Sequence, residues 1–380
     1  MSSSPRRVLH VIVSLDVGGA QTFLLGLCAN LDRERYLPEV VCMHGSGVYA
    51  QAFEDEQVRL RSLSPGKFPP RYIPEFARLL LRERHDILHF HLFGANLCAK
   101  PLALIAGHPG IVVHDQCNDS SRDRNPLLLG ADAFWNRRSG KVIAVSESTR
   151  RYLLDREDLP DDLVTVIPNG VDTALFRPGT PEEKVAARER LGIPRGAFVI
   201  GGIGRLVEQK NFSLFLEVVS RLFSRNADAV AVLAGTGPLE GDLMNQAARL
   251  GIRDRVRFVG HITDRPGLYH AVDVLLMTSL FEGTPLVLLE AMSSALPVVA
   301  TSVDGISEVC TDAKDAFLAR DFFPDSFVFP LLSLLRRESP GNDLGQNARR
   351  TIESRYGIKV ITRRVEGVYE NLLSGSDRDF

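Results

Sequence analysis

Strand-length runs that are apolar from end to end, separated by helix-length segments, occur in two successive series along this chain. The first series contains Val8–Ser14, Glu39–Met43, Ile87–His91, Ile111–His114 and Lys141–Val145, with helical spacing over 20–31 and 48–57. Strands apolar on both faces belong in a parallel sheet covered by helices on each side. Between Val164 and Pro181 the rhythm stops in VTVIPNGVDTALFRPGTP, whose dense turn chemistry marks a boundary. It then restarts with Phe198–Gly202, Ala229–Ala234, Val256–Val259, Val274–Met277 and Pro297–Ala300, with helices from Phe212, over 239–250 and over 285–294. Helical spacing over Asn347–Leu373 closes the chain. At 380 residues the chain exceeds the size at which one core keeps growing. Two doubly wound α/β domains are therefore expected, over 1–168 and 182–355, joined by a linker at 169–181.

Charge and cysteine content exclude several partners. Lys plus Arg is 45 and Asp plus Glu is 47, so no global attraction to nucleic acid is expected. The five cysteines form no CxxC pair, which fits a reducing cytoplasm. SSSPRR before Val8–Leu15 has the layout of a signal peptide, but His10 and Asp16 interrupt the apolar run and its β-branched residues suit a first buried strand. No stretch is apolar for the length of a membrane span. Residues Asn118–Arg138 mix leucines, Phe134 and the only Trp with four arginines, a composition compatible with a lip lying on the cytoplasmic membrane face or with an ordinary acceptor loop.

The sharpest constellation is SLFEGTPLVLLEAMSSALPVVATSVDGISE, Ser279–Glu308, between two apolar strands. Pro285 suits a helix's first turn, so the free amides after it form an anion site. Glu290 lies further along that helix, where a carboxylate can accept from a ribose diol, and Glu282 lies just before it. The same pair also suits a helix cap and a solvated helical acid; its position at the C-terminal end of a sheet strand favours a ligand. GGIGRLVEQKN, Gly201–Asn211, follows another buried strand and carries Arg205 and Lys210, two cations able to neutralise a diphosphate leaving group. Gly18–Gly19–Ala20 lies between the first strand and first helix, a place where amides meet phosphate. In DILHFHLFGAN, His89 and His91 share a strand face, the spacing of two metal ligands, but no third ligand is evident. A nicotinamide-dependent oxidoreductase would need GxGxxG after the first strand, and the turn here is VGGAQT.

The ordered set EGTPLVLLEAM, GRLVEQKN, IPNGVD, GGAQ, HFH and AVSES, continued through NARR and YGIKVITRRVEGVYENLL, resembles family four glycosyltransferases over nearly the whole chain. That resemblance implies the GT-B architecture: two Rossmann-like domains facing across a cleft, an N-terminal acceptor-binding domain, a C-terminal nucleotide-sugar-binding domain, and residues 356–380 crossing back to the first. It implies retaining transfer from a nucleoside diphosphate sugar, UDP above all, to a hydroxyl of a glycan, lipid-linked saccharide or small metabolite. Relatives of the fold include phosphorylases, nucleotide-sugar epimerases and modules that bind without turnover.

Carried over position by position, Arg205 and Lys210 resemble the diphosphate clamp, Glu290 the ribose ligand, Glu282 a ligand of donor-sugar hydroxyls, and Gly19 a backbone contact to the distal phosphate. His91 resembles the histidine facing the reacting sugar. Gly204, Gly235, Gly237, Val259, His261, Gly283, Thr284, Pro285, Leu286 and Val287 match loops lining the donor. Asn96, His114 and Asp115 match the acceptor side. The catalytic set is thus His91, Arg205, Lys210 and Glu282, with no cofactor and no metal. Ser294–Ala295–Leu296 replaces the family's small residue–glycine pair, and Asp304–Gly305 replaces Gly-Gly beside the donor sugar, which bears on donor choice.

Overall fold

The computed structural model describes residues 4–45, 47–63, 72–108, 110–116, 125–225, 228–336 and 341–376. It separates into two compact units, Met1–Gly170 with Ile358–Phe380, and Val171–Gly357. The elements of the first are β1 (Arg6–Ile12), α1 (Gly19–Asn30), β2 (Tyr36–Cys42), α2 (Ala50–Asp55), β3 (Arg59–Ser62), α3 (Tyr72–Arg82), β4 (Ile87–His91), α4 (Leu92–Cys98), α5 (Lys100–Ile105), β5 (Ile111–Asp115), α6 (Pro126–Asn136), β6 (Lys141–Ala144), α7 (Glu147–Glu157) and β7 (Val164–Val166). The seven strands are parallel, in the order β3-β2-β1-β4-β5-β6-β7.

The alternation of side chains along β1 and β4 divides this unit's interior. Leu9, Val11, Leu88 and Phe90 join Phe76 and Leu79 of α3 in one buried cluster. Ile12 faces the other way, with Val40 and Cys42, onto Leu24 and Cys28 of α1. The buried stripe Ala20, Phe23, Leu24, Leu27 and Cys28 explains why α1 forms: its period is that of a helix with one covered face.

The second unit contains α8 (Pro181–Arg190), β8 (Phe198–Ile203), α9 (Phe212–Phe223), β9 (Ala229–Ala234), α10 (Glu240–Arg249), β10 (Val256–Gly260), α11 (Arg265–Ala271), β11 (Val274–Met277), α12 (Leu286–Ser293), β12 (Val298–Thr301), α13 (Asp304–Val309), β13 (Phe317–Ala319), α14 (Asp325–Leu335) and α15 (Gly341–Arg355). Its six strands run β10-β9-β8-β11-β12-β13, all parallel. In both sheets the strand order reverses beside the first strand, and such switch points are where doubly wound folds bind ligands. The last helix, α16 (Ile358–Ser376), belongs to the first unit, where Glu366 accepts from the Asp32 amide at 2.8 Å and Tyr369 stacks edge-on against Tyr36.

Several boundaries differ from the sequence reading. Val164–Val166, assigned to the boundary segment, is the edge strand β7 of the first sheet. Residues 126–136, read as part of a loop, form α6, capped by the Asn125 side chain; residues 118–124 lie outside the described set. Pro285 is the extended cap of α12 rather than its first helical residue.

Candidate active site

The loops after β8, β9, β10 and β11 form one continuous structure in the second unit. Gly204 donates its amide to the Ala234 carbonyl at 2.9 Å, Leu206 donates to Thr236 at 2.9 Å, and Gly235 donates to Gly260 at 2.7 Å. Gly204 and Gly235 have φ of 151° and 140°, which only glycine adopts readily. A Cβ on Gly235 would lie 1.9 Å from the Gly204 oxygen, and one on Gly237 would lie 2.4 Å from the Leu206 oxygen. The glycines of GGIGR and AGTGP are therefore required by two loops in backbone contact.

Within this frame Lys210 Nζ lies 2.5 Å from Glu282 Oε1, which also accepts from Ser279 Oγ at 2.7 Å. Glu282 is buried, Lys210 is half-buried and Arg205 is exposed. Asp304 has φ of 37°, a left-handed conformation that an aspartate tolerates better than most residues, and its carboxylate accepts from the Glu282 amide at 3.3 Å. A Cβ on Gly305 would lie 1.6 Å from the Gly283 oxygen. The Asp-Gly departure thus keeps the glycine that contact demands and adds a carboxylate beneath Glu282. Thr284, Pro285 and Leu286 are buried, Val287 and Val259 are half-buried, and His261 is exposed.

Glu290 has two protein partners. It is 1% exposed and pairs with Arg265, while the Tyr269 hydroxyl donates to its other oxygen at 2.7 Å. Its helix, α12, is buried on nearly every side, so the carboxylate points into protein instead of into open space. Burial pushes its pKa up, opposed by Arg265 and Tyr269. Sequence reasoning missed Arg265 and Tyr269, which come from α11 on another strand connection.

In the first unit His91 is fully buried at the end of β4, with Nε2 at 3.1 Å from His10 Nδ1. Asn96, within α4, and His114 and Asp115, at the end of β5, are also buried, while Gly19 is exposed at the start of α1. In the sequence His10 stands out only as an interruption of an apolar run.

Residues 197–337 match the family described as Glycosyl transferases group 1, and residues 17–175 match Glycosyltransferase Family 4. A lipopolysaccharide core biosynthesis mannosyltransferase from Rhizobium meliloti is 37% identical over 252 residues, 64% of this chain and 69% of the relative. An Escherichia coli UDP-Gal:alpha-D-GlcNAc-diphosphoundecaprenol alpha-1,3-galactosyltransferase is 28% identical over 307 residues, 78% of each chain. Among solved structures, Anabaena HepE in complex with UDP-glucose shares the fold with a TM-score of 0.86 at 21% identity, covering 96% of this chain and 99% of its own. Two Rossmann-like units with this loop site define a sugar-transferring enzyme of the GT-B class. The chain belongs to the group 1 glycosyltransferases, family four.

Proposed function

We propose that the enzyme moves a hexosyl group from a UDP-sugar to a hydroxyl of a glycan or lipid-linked saccharide, retaining the anomeric configuration. The observation that carries this reading is the Lys210–Glu282 pair, set on loops whose glycines let the backbones after β8 and β9 pack together beside it. Arg205, Lys210 and the amides opening α12 hold the diphosphate, Glu282 orients sugar hydroxyls, and Glu290 holds the ribose. The bond from C1 to the diphosphate oxygen breaks as the acceptor oxygen bonds to C1 on the same face, and the acceptor proton passes to the departing phosphate oxygen. The donor and acceptor classes draw on the named substrates of the relatives, among them a diphosphoundecaprenol-linked sugar.

Calorimetry separates the two glutamates. Glu290→Gln weakens UDP by about 10- to 100-fold, the scale of a hydrogen bond to a charged group. Glu282→Gln leaves UDP affinity unchanged and weakens the intact donor. Equal losses for both ligands in both variants would sink this division.

Turnover requires no divalent metal in this reading, because two fixed cations and helix-end amides stabilise the departing diphosphate. The DxD sequence Asp377–Arg378–Asp379 lies outside the described residues. Activity persists in excess chelator, with donor and enzyme stripped of divalent ions. Loss with chelator and recovery with magnesium or manganese would overturn the assignment.

Among the described residues no helix is long and apolar enough to cross a membrane. Peripheral contact rests on α6, where Leu127 is 85% exposed and Arg138 stacks on the half-exposed Phe134 at 3.6 Å. Co-sedimentation with anionic vesicles should fall in Leu127→Glu, and equal binding by both proteins would refute this contact.

A further inference from the structure

The turn between β12 and α13 holds a carboxylate where a glycine would fit without strain. Asp304, the first residue of α13, has φ of 37°, in the left-handed region that aspartate and asparagine tolerate and glycine adopts freely. A side chain kept in that region costs energy, and such residues gather at ligand sites. The loop after β11 is what holds it. Asp304 Oδ2 accepts from the Glu282 amide at 3.3 Å, and the Gly305 amide donates to the Glu282 carbonyl at 3.3 Å. Thr301, at the end of β12, donates its hydroxyl to the Ser279 carbonyl at 2.8 Å, so the two connections are tied at both ends. The Asp304 carboxylate is thus fixed beside the backbone of Glu282, and the residue is half-buried, not sealed in the core.

We propose, resting on the reading of Glu282 as a ligand of donor-sugar hydroxyls, that Asp304 sets the charge of the sugar this site takes: it selects uncharged hexoses and rejects hexuronic acids. The sugar then meets two carboxylates. Glu282 Oε1 is engaged by Lys210 and Ser279, which leaves Oε2 to accept from a sugar hydroxyl. An ionised carboxylate only accepts, so the two acids suit a sugar that presents hydroxyls and repel one that presents a carboxylate of its own. Lys210 does little to offset this, because it already pairs with Glu282 and also faces the departing diphosphate. Glu282 is buried and Asp304 half-buried, so salt screens the repulsion less than it would between surface charges. A glycine at 304 would close the same turn without strain and without the charge. What the carboxylate adds is a repulsive element against one class of donor, the device by which sites gain discrimination at some cost in stability.

Donors matched everywhere except at C6 provide the test: UDP-glucose against UDP-glucuronic acid, and UDP-galactose against UDP-galacturonic acid. Calorimetry on the full-length chain measures all four and UDP itself, and the quantity compared is the ratio of hexose to hexuronate affinity within one protein. The parent favours the hexose by at least about tenfold, the scale on which like charges discriminate. Asp304→Asn keeps an acceptor for the Glu282 amide and tolerates the same backbone, so it removes the charge alone. It brings the ratio to within roughly threefold of unity. Asp304→Gly, which meets the backbone requirement most easily, does the same and decides the comparison should the asparagine variant fail to fold. A merely structural role for Asp304 would weaken hexose and hexuronate alike and leave the ratio at the parent's value. That result overturns the proposal, and so does a parent that binds UDP yet takes hexose and hexuronate equally; in both cases the transferase reading stands. A folded chain that binds neither UDP nor any of the four donors overturns that reading, and this inference with it.

Discussion

Replacing Arg205 or Lys210 by alanine lowers kcat/KM by roughly 30- to 900-fold, the equivalent of ~2–4 kcal/mol for one group that stabilises developing charge. Negative charge accumulates on the diphosphate as the C1–O bond breaks, so the loss falls more on kcat than on donor KM. The two variants differ in stability. Arg205 is exposed, and its removal changes unfolding by no more than about 0.5 kcal/mol. Lys210 is the ion-pair partner of a buried carboxylate, and its loss leaves Glu282 with Ser279 as its side-chain donor. Lys210→Ala is therefore less stable than Arg205→Ala, while both lose turnover. Steady-state kinetics together with urea unfolding of each variant provides the test. Normal turnover by either folded protein would show that the clamp lies elsewhere.

Legibility in the sequence followed local signals. β4 was read over Ile87–His91, as it is found, because a continuous apolar run ends in a change of period. Helix α4 begins at the very next residue, with Leu92 at φ 69° taking a turn usually marked by glycine, so nothing in the sequence announced it. β3, RLRS, sits at the sheet edge with little of it buried and lacks the apolar signature of the central strands. The Glu282–Glu290 spacing and the glycines of the loops after β8 and β9 were readable because each lies within one strand connection. Arg265 meets Glu290 from 25 residues away, and His10 meets His91 from 81 residues away. Such pairs depend on strand order and register, which no single segment encodes.

Asp132→Ala destabilises the first unit by about 3–5 kcal/mol, the scale of breaking a buried ion pair from one side. Lys100 is fully buried; its Nζ lies 3.3 Å from Asp132 Oδ1 and also contacts Asn136 Oδ1, whose own amide donates to Glu157 at 2.7 Å. Burial lowers the Lys100 pKa, and Asp132 is the largest influence opposing that shift, ahead of Glu157 and Asp115. Without Asp132 the ammonium keeps its desolvation cost and loses its nearest counter-charge. The folded-state pKa then falls further below the unfolded value of about 10.4. Between those two values the unfolded chain binds more protons, so stability rises with pH and the variant's deficit shrinks above neutrality. Lys100→Met with Asp132→Leu removes both charges and recovers most of the loss, because an apolar pair of similar volume carries no desolvation cost. The only tryptophan, Trp135, lies on α6 beside Asn136, so its fluorescence in urea follows this unit even where the two units unfold separately. An unfolding free energy for Asp132→Ala within about 0.5 kcal/mol of the parent's, the spread of ordinary surface substitutions, or a double variant no better than the single one, would mean that the pair does not carry this energy.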